Sequence, residues 1–427
     1  TPLAVTAPGS AEPEAAYRLA KRRGMDFFAL TDPDTLAGYG ELAHHGDVIP
    51  ACETTVAFPE DDCKLRLLLF GLNEAQLQHV LTYRGNIFQV RDYLLAEDIF
   101  HVVATPLEVL SGRLGPDHIE RLLLLFDHFE TRSGGRHERT NDFMTALLDS
   151  LTPDFTAALQ KKWGIEPANA KPWQKGYIGG SNDYCGQYIG LTWTEVPAAD
   201  TPQDFLQALR RRVGMPGGIH GTTLSSAHSM YRVAFQFYQK NLRHRNVRDP
   251  DLISMIVSRV LQPEQPRRVS WRQMARLGAA AVKRALRLRQ GPTYIERKLI
   301  REFIVAYNRI PPQERLTDIP SDDLIQYDER LFSLVDRVVG QVTYRLLEQG
   351  AREFGRGRVG NALALSTALL PLQGVLGPYL YSFKKLNADR PLLQNLETRL
   401  SPALDLPHSQ RPGKKRIAWF SDTVTDV

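Results

Sequence analysis

Four carboxylates in the first half of the chain are placed for chemistry. Asp32, Asp34, Glu53 and Asp183 each stand where a short apolar run gives way to polar residues. Carboxylates gathered in this way hold divalent cations and, with imidazole partners, activate a bound water. Asp32 and Asp34 flank Pro33 in Phe27-Phe28-Ala29-Leu30-Thr31-Asp32-Pro33-Asp34-Thr35. Proline has no side-chain donor, so the centre of that cluster is chemically blank. A second group is cationic. Arg132, Arg136 and His137 surround Ser133-Gly134-Gly135, and His220 follows Gly217-Gly218-Ile219. Guanidinium suits phosphate, so these four form a candidate anion-binding set. Thr222, Thr223, Ser225 and Ser226, between His220 and His228, offer a phosphate-facing loop or, more commonly, hydroxyls that cap a helix. His44-His45 before Gly46 read as solvated turn residues, and His128 as a satisfied strand histidine. No histidines have the spacing of a metal constellation.

These side chains need a scaffold. Apolar runs at 27–30, 48–51, 65–70, 101–104, 122–126 and 177–178 alternate with helical patterns such as 74–83 and 87–96. Alternation of strand and helix predicts a parallel sheet or a barrel. The runs end in Thr31-Asp32, Cys52-Glu53-Thr54, Thr105-Pro106, Glu130-Thr131-Arg132 and Ser181-Asn182-Asp183. In a barrel such ends converge on one face.

The chain has 427 residues, 43% hydrophobic and 24% charged, with a net charge of +5. That is a globular composition with room for two or three domains. Cys52, Cys63 and Cys185 form no CxxC, which excludes a disulfide framework and a zinc knuckle and predicts a reducing, cytoplasmic setting. Residues 1–13, rich in Pro and Ala, lack the basic lead and apolar run of a signal peptide.

Four strings carry a resemblance. TDPDTLAGY is similar to the TDHDTLAG motif of the polymerase and histidinol phosphatase (PHP) family. ACETTV resembles that family's GxE motif, VVATPLEVL its strand ending in His-Pro, and GGSNDYCGQYIGLTWTEV its closing GSDxHSG…G…T motif. The resemblance covers residues 27–196 in the family's order. It implies a distorted PHP-type (β/α)7 barrel that binds up to three metal ions and hydrolyses phosphate esters. Its ligand positions do not carry over. Pro33, Thr105, Asn182 and Tyr184 stand where the family has histidine or aspartate, and no His-x-His precedes residue 20. Glu53 is the matched ligand that survives, with Asp32, Asp34 and Asp183 beside it as degenerate positions. One carboxylate with neutral replacements predicts a barrel with no catalytic residues and no metal.

From about residue 231 strand signals give way to helical patterns up to about residue 400, interrupted at Pro311-Pro312 and Pro320-Ser321-Asp322-Asp323. Ten Arg and Lys residues against Glu296 between Arg267 and Lys298 make a basic amphipathic stretch. Its Arg284, Arg287 and Arg289 would meet an anionic membrane surface or an acidic partner domain, or dock on an acidic face of the same chain. Nucleic acid is disfavoured because only Trp271 and Tyr294 could stack bases. The run at 362–381 approaches the length of a membrane span, but Pro371, Gly374, Gly377 and Pro378 predict two short interfacial or buried pieces. Residues 401–413 read as a linker. Lys414-Lys415-Arg416-Ile417-Ala418-Trp419-Phe420-Ser421-Asp422-Thr423 resembles the opening strand of retaining glycosyltransferases with two Rossmann domains.

The expected architecture is therefore α/β: a PHP-like barrel over 1–230, an all-α region over 231–400, a linker, and at 414–427 the first strand of a glycosyltransferase domain that is truncated or disordered. The expected role is the accessory part of a glycosyltransferase, cytoplasmic and peripheral to the inner face of the membrane. A nucleotide sugar would bind only through a C-terminal domain outside this sequence. The alternative is a metal-dependent phosphoesterase with Zn, Mn or Mg.

Overall fold

The computed structural model describes residues 2–6, 12–244, 323–360, 363, 369–404 and 406. The basic stretch with Arg284, Arg287 and Arg289, most of the linker and residues 414–427 lie outside the described residues.

The chain runs β1 (Pro2–Thr6), α1 (Pro13–Arg22), β2 (Phe27–Leu30), β3 (Asp32–Pro33), α2 (Ala37–Leu42), β4 (Ala51–Phe58) and β5 (Cys63–Phe70). It continues α3 (Glu74–Tyr83), α4 (Ile87–Ala96), β6 (Phe100–Ala104), α5 (Pro116–Leu125), β7 (His128–Ser133), α6 (Glu138–Asp149), α7 (Pro153–Trp163) and β8 (Gly176–Gly180). Then come β9 (Thr192–Glu195), α8 (Pro202–Arg210), β10 (Met215–Gly218), α9 (Thr223–His244), α10 (Leu324–Gly355), α11 (Leu369–Leu386) and α12 (Arg390–Leu400).

The strands form two sheets, ordered β10-β9-β1-β2 and β3-β4-β5-β6-β7-β8. Thr31 alone separates β2 from β3, which joins the sheets at one seam. At the other seam Thr194 Oγ1 of β9 accepts from Gly179 N of β8 and donates to Gly179 O, both at 2.9 Å. A Cβ on Gly179 would lie 2.7 Å from Trp193 O, so only glycine permits this approach. The result is a distorted α/β barrel. β1 and β2, β3 and β4, and β6, β7 and β8 pair parallel. β5 runs antiparallel to both neighbours, and β9 to both of its own.

Two expectations about strands fail. Residues 122–126 end α5 instead of forming a strand, because Pro116 at its first position starts a helix and Ile119, Leu122 and Leu123 then bury at helical spacing. The run at 48–51 is only the approach to β4, which turns back through Asp61-Asp62 into β5 as a hairpin. Among the helices, α11 passes through Pro371 and Pro378 without the expected break. Asp323 caps α10 by accepting from Gln326 N at 3.0 Å, so the signal at 320–323 marks a helix start. Among the described residues no helix is long and apolar enough to cross a membrane.

Strand alternation separates an inner core from outer ones, of which Phe28 and Leu30 build one with Ala16, Leu19 and Ala20 of α1. Phe27, Ala29, Ala51, Leu68, Phe70, Phe100, Val102 and Ile178 share the inner core with Phe205, Ala208 and Leu209 of α8. Leu67, Leu69, Val103 and Phe129, of opposite parity, face the outer helices α3 to α7. Leu392, Leu393, Leu396 and Leu400 of α12 are buried in that same outer core. The helices α9, α10 and α11 meet the barrel at a buried knot. Tyr188 OH donates to both oxygens of Asp328 at 2.9 Å, His228 Nδ1 donates to Asp328 at 2.6 Å, and Tyr379 OH lies 2.8 Å from His228 Nε2.

Candidate functional site

Above the inner apolar floor, strand parity turns charged residues inward. Glu53 follows Ala51 by two positions, Arg66 precedes Leu68 by two, and Glu130 lies on the face opposite Phe129. Because β5 is antiparallel, Arg66 comes to the end where its parallel neighbours finish, paired with Ala104. Its Nε is 3.5 Å from Glu53 Oε1 and its Nη1 is 3.0 Å from Glu108 Oε2. Glu108 also faces Arg136 Nη1 at 3.4 Å and accepts from Thr105 Oγ1 at 3.0 Å. Thr105 N donates to Glu130 Oε2 at 2.8 Å. The chain thus gathers Glu53, Glu108 and Glu130 around its own guanidinium groups.

Burial pushes every carboxyl in this cluster up, and the cations decide the outcome. Arg136 and Arg66 outweigh burial at Glu108 and hold it below the ordinary range. Glu53 sits farther from its single guanidinium and is repelled by Glu108, so burial wins and it rises. Glu130, fully enclosed, is pushed up to about 8 and is neutral near pH 7. Burial and the charge of Glu53 raise the Tyr184 hydroxyl to about 12. Burial opposes the charge of Arg66, but Glu108 and its neighbours raise its affinity for the proton, so it remains a cation.

The mouth is covered from far along the chain. Asp389, at the start of α12, is 1% exposed and accepts from Thr140 Oγ1 at 2.6 Å. Arg139 and Arg136 flank it at 3.4 and 3.7 Å. Lys385 of α11 is exposed, and partial desolvation, opposed by the charge of Glu108, lowers its pKa. The cavity left between Thr105, Glu130, Ser133, Arg136 and Asn141 has a volume of about 10 Å³. That admits about one water.

The residues singled out in the sequence are placed as follows. Asp32 Oδ2 accepts from Gly38 N at 2.9 Å, its Oδ1 is buried without a hydrogen bond, and burial raises its pKa. Asp34, at φ 56°, accepts from Thr54 Oγ1 at 2.8 Å and pairs with Arg84 at 3.2 Å. Asp183 accepts from Cys185 N at 2.8 Å and Tyr188 N at 2.7 Å, which shapes its own turn. Asn182, at φ 45°, donates to Ser133 Oγ at 3.1 Å. β1 ends in Val5-Thr6, so no histidine stands at the end of that strand. Arg132 donates to Gly218 O at 3.0 Å, and His137 caps α6 by accepting from Arg139 N. His220 accepts from Asn141 Nδ2 at 2.9 Å, and burial, with Arg132, lowers its pKa. Of the anion set, Arg136 reaches the cluster at the mouth. Its charge is shared by Glu108 and Asp389.

Arg66, Glu108, Lys385 and Asp389 were not foreseen. Arg66 left one signal, a charge at an inward position of an apolar strand, CKLRLLLF. Among the described residues, no group of three His, Cys, Asp or Glu donor atoms lies close enough at this end to share an ion. Among the described residues one group of three such atoms comes together, at Glu14, His44 and His45, away from the mouth. At the mouth Glu53 faces the Arg66 guanidinium at 3.5 Å.

No protein-family model matches the chain, and no curated protein sequence matches it. Among solved structures it is similar to an amidohydrolase from Chromobacterium violaceum with bound sulfate and no metal. The TM-score is 0.33 at 14% identity, over 50% of this chain and 97% of that one. A putative metal-dependent phosphoesterase from Bifidobacterium adolescentis gives 0.29 at 12% identity, over 50% and 96%. PsfC from Pseudomonas syringae gives 0.33 at 12% identity, over 57% and 98%.

Proposed function

We propose that the barrel is a PHP-type domain without metal chemistry, serving as the non-catalytic accessory part of a glycosyltransferase. The observation that carries the first half of this reading is Arg66. Its guanidinium lies between Glu53 and Glu108 at 3.5 and 3.0 Å. A fixed cation there satisfies the carboxylates that a divalent ion would need, and an ion entering beside it meets like-charge repulsion. Thr105, Asn182 and Tyr184 bring no imidazole or carboxylate to the same end. What remains is a scaffold: the former reaction face holds α12 through Asp389. The second half of the reading rests on the resemblance of residues 414–427 to a glycosyltransferase opening strand.

The experiment compares the full chain with Glu53→Gln and Arg66→Ala after chelation and reloading with Mn2+ or Zn2+. The expected result is no ion sensitive to Glu53→Gln, no hydrolysis of p-nitrophenyl phosphate, and a gain of Mn2+ binding in Arg66→Ala, which frees the carboxylates. An ion in the unaltered chain that Glu53→Gln removes, with phosphate release, overturns the reading. The glycosyltransferase half is tested by nucleotide release from a panel of UDP- and GDP-sugars by the natural full-length polypeptide.

A further inference from the structure

On the outer surface, α1 and the turn after α2 bring Glu14, His44 and His45 together. One ligand atom from each lies within 4.8 Å of the other two. His45 Nε2 is 3.2 Å from Glu14 Oε2. The His45 ring is stacked on Tyr17, with centroids 3.9 Å apart and planes at 20°. Tyr17 is fixed in turn, since its hydroxyl donates to Asp47 at 3.0 Å and Lys21 holds Asp47 at 2.7 Å. His45 is therefore presented by a supported ring. His44, exposed, has its ring centroid 4.0 Å from that of His45.

Two imidazoles and a carboxylate are the donor set of zinc and its first-row neighbours, and an oxygen-only ion such as Mg2+ would not choose it. With metal–ligand bonds of about 2.0–2.1 Å, tetrahedral ligand atoms stand about 3.3 Å apart. The pair His45–Glu14 already has that spacing. The widest of the three separations has at most about 1.5 Å to close, within reach of side-chain rotation at exposed His44. Arg18 lies 4.0 Å from Glu14 with its side chain 63% exposed, and such a pair yields readily to a metal.

We propose that Glu14, His44 and His45 form a surface site for a divalent transition metal of the zinc class. Water takes the fourth position, and the ion ties the start of α1 to the turn after α2. The site is separate from the barrel mouth and does not depend on how the mouth is read.

The test uses the full chain, stripped by chelation and dialysed against Zn2+. Elemental analysis should find one equivalent held at micromolar free Zn2+, and the thermal midpoint should rise on loading. His44→Ala and Glu14→Gln, both surface changes, should each weaken binding at least tenfold and remove the thermal shift. Glu53→Gln should change neither. Millimolar Mg2+ should not displace the ion. Absence of bound Zn2+, unchanged affinity in His44→Ala, or displacement by Mg2+ would each overturn the assignment.

Discussion

Replacing Arg66 with Met removes the cation between Glu53 and Glu108 while keeping the stem of the side chain. The side chains of Arg66, Glu53 and Glu108 are 21%, 12% and 11% exposed, so the pairing lies nearer the buried than the surface regime. Breaking a buried pair by removing one partner costs about 3–5 kcal/mol, and an exposed one about 0–1. A second route bounds the figure. A stranded carboxyl escapes by taking up a proton, which from its ordinary value of 4.5 to pH 7 costs about 3.4 kcal/mol at about 1.4 per pH unit. The expected penalty at pH 7 is thus about 3 kcal/mol, read as a shift of the urea midpoint by fluorescence of Trp163 and Trp173, which pack on the outer core. The depressed folded pKa of Glu108 gives a stabilisation that is constant above 4.5 and lost only as pH falls through the folded value. The pH dependence between 7 and 4.5 comes from the variant, where the stranded carboxyl takes up a proton on folding, so the penalty of Arg66→Met should shrink by up to about 1.4 kcal/mol per pH unit as pH falls from 7 towards 4.5. Adding Glu53→Gln and Glu108→Gln should recover most of the loss, since no charge is then stranded. A penalty below about 1 kcal/mol, or one that stays flat over that pH range, would refute the account of the mouth as a self-neutralised cluster.

Other outcomes are expected elsewhere. Glu130, raised to about 8, destabilises the fold as pH rises from 4.5 to about 8, because the folded state then binds more protons than the unfolded one. Glu130→Gln should match the unaltered chain near pH 5 and become the more stable of the two by pH 8 in the same urea assay. Gly38→Ala would place a Cβ on Asp32 Oδ2 and Leu30, and a loss of about 1–3 kcal/mol is expected by thermal unfolding. Asp328→Ala strands Tyr188 and His228 in a buried knot, and should cost about 2–4 kcal/mol and speed trypsin cleavage within α10.

Much of the barrel could be read from periodicity. β2, β5, β6 and β8 fall where apolar runs predicted them, within two residues. β10 could not be found that way, because Met-Pro-Gly-Gly has no strand character. It is held by β9, where a Cβ on Gly217 would strike the Trp193 ring. Leu122 to Leu125 misled because a short buried helix end and a strand look alike in an apolar run. At the site, Glu53 was legible through its motif. Its partner was not: Arg66 is the one the hairpin supplies. The direction of β5 decides that, and direction leaves no mark on strand periodicity. Asp389 and Lys385 were further out of reach, since their role exists only once the helices have folded back over the mouth.

The position of α12 sets a clock on the barrel during synthesis. Its leucines cover the side of α5 that carries Leu122 and Leu123, and Arg399 reaches across to Glu120 at 2.8 Å. Leu400 is added 182 positions after Gly218, the end of the last strand. At about 5–20 residues per second, a ribosome needs about 10–40 s to cover that stretch. Throughout that interval a nascent barrel with every strand in place still shows a greasy flank to solvent or to a chaperone. Slowing translation between β10 and α12 should lower the soluble yield more than slowing it anywhere upstream of β8.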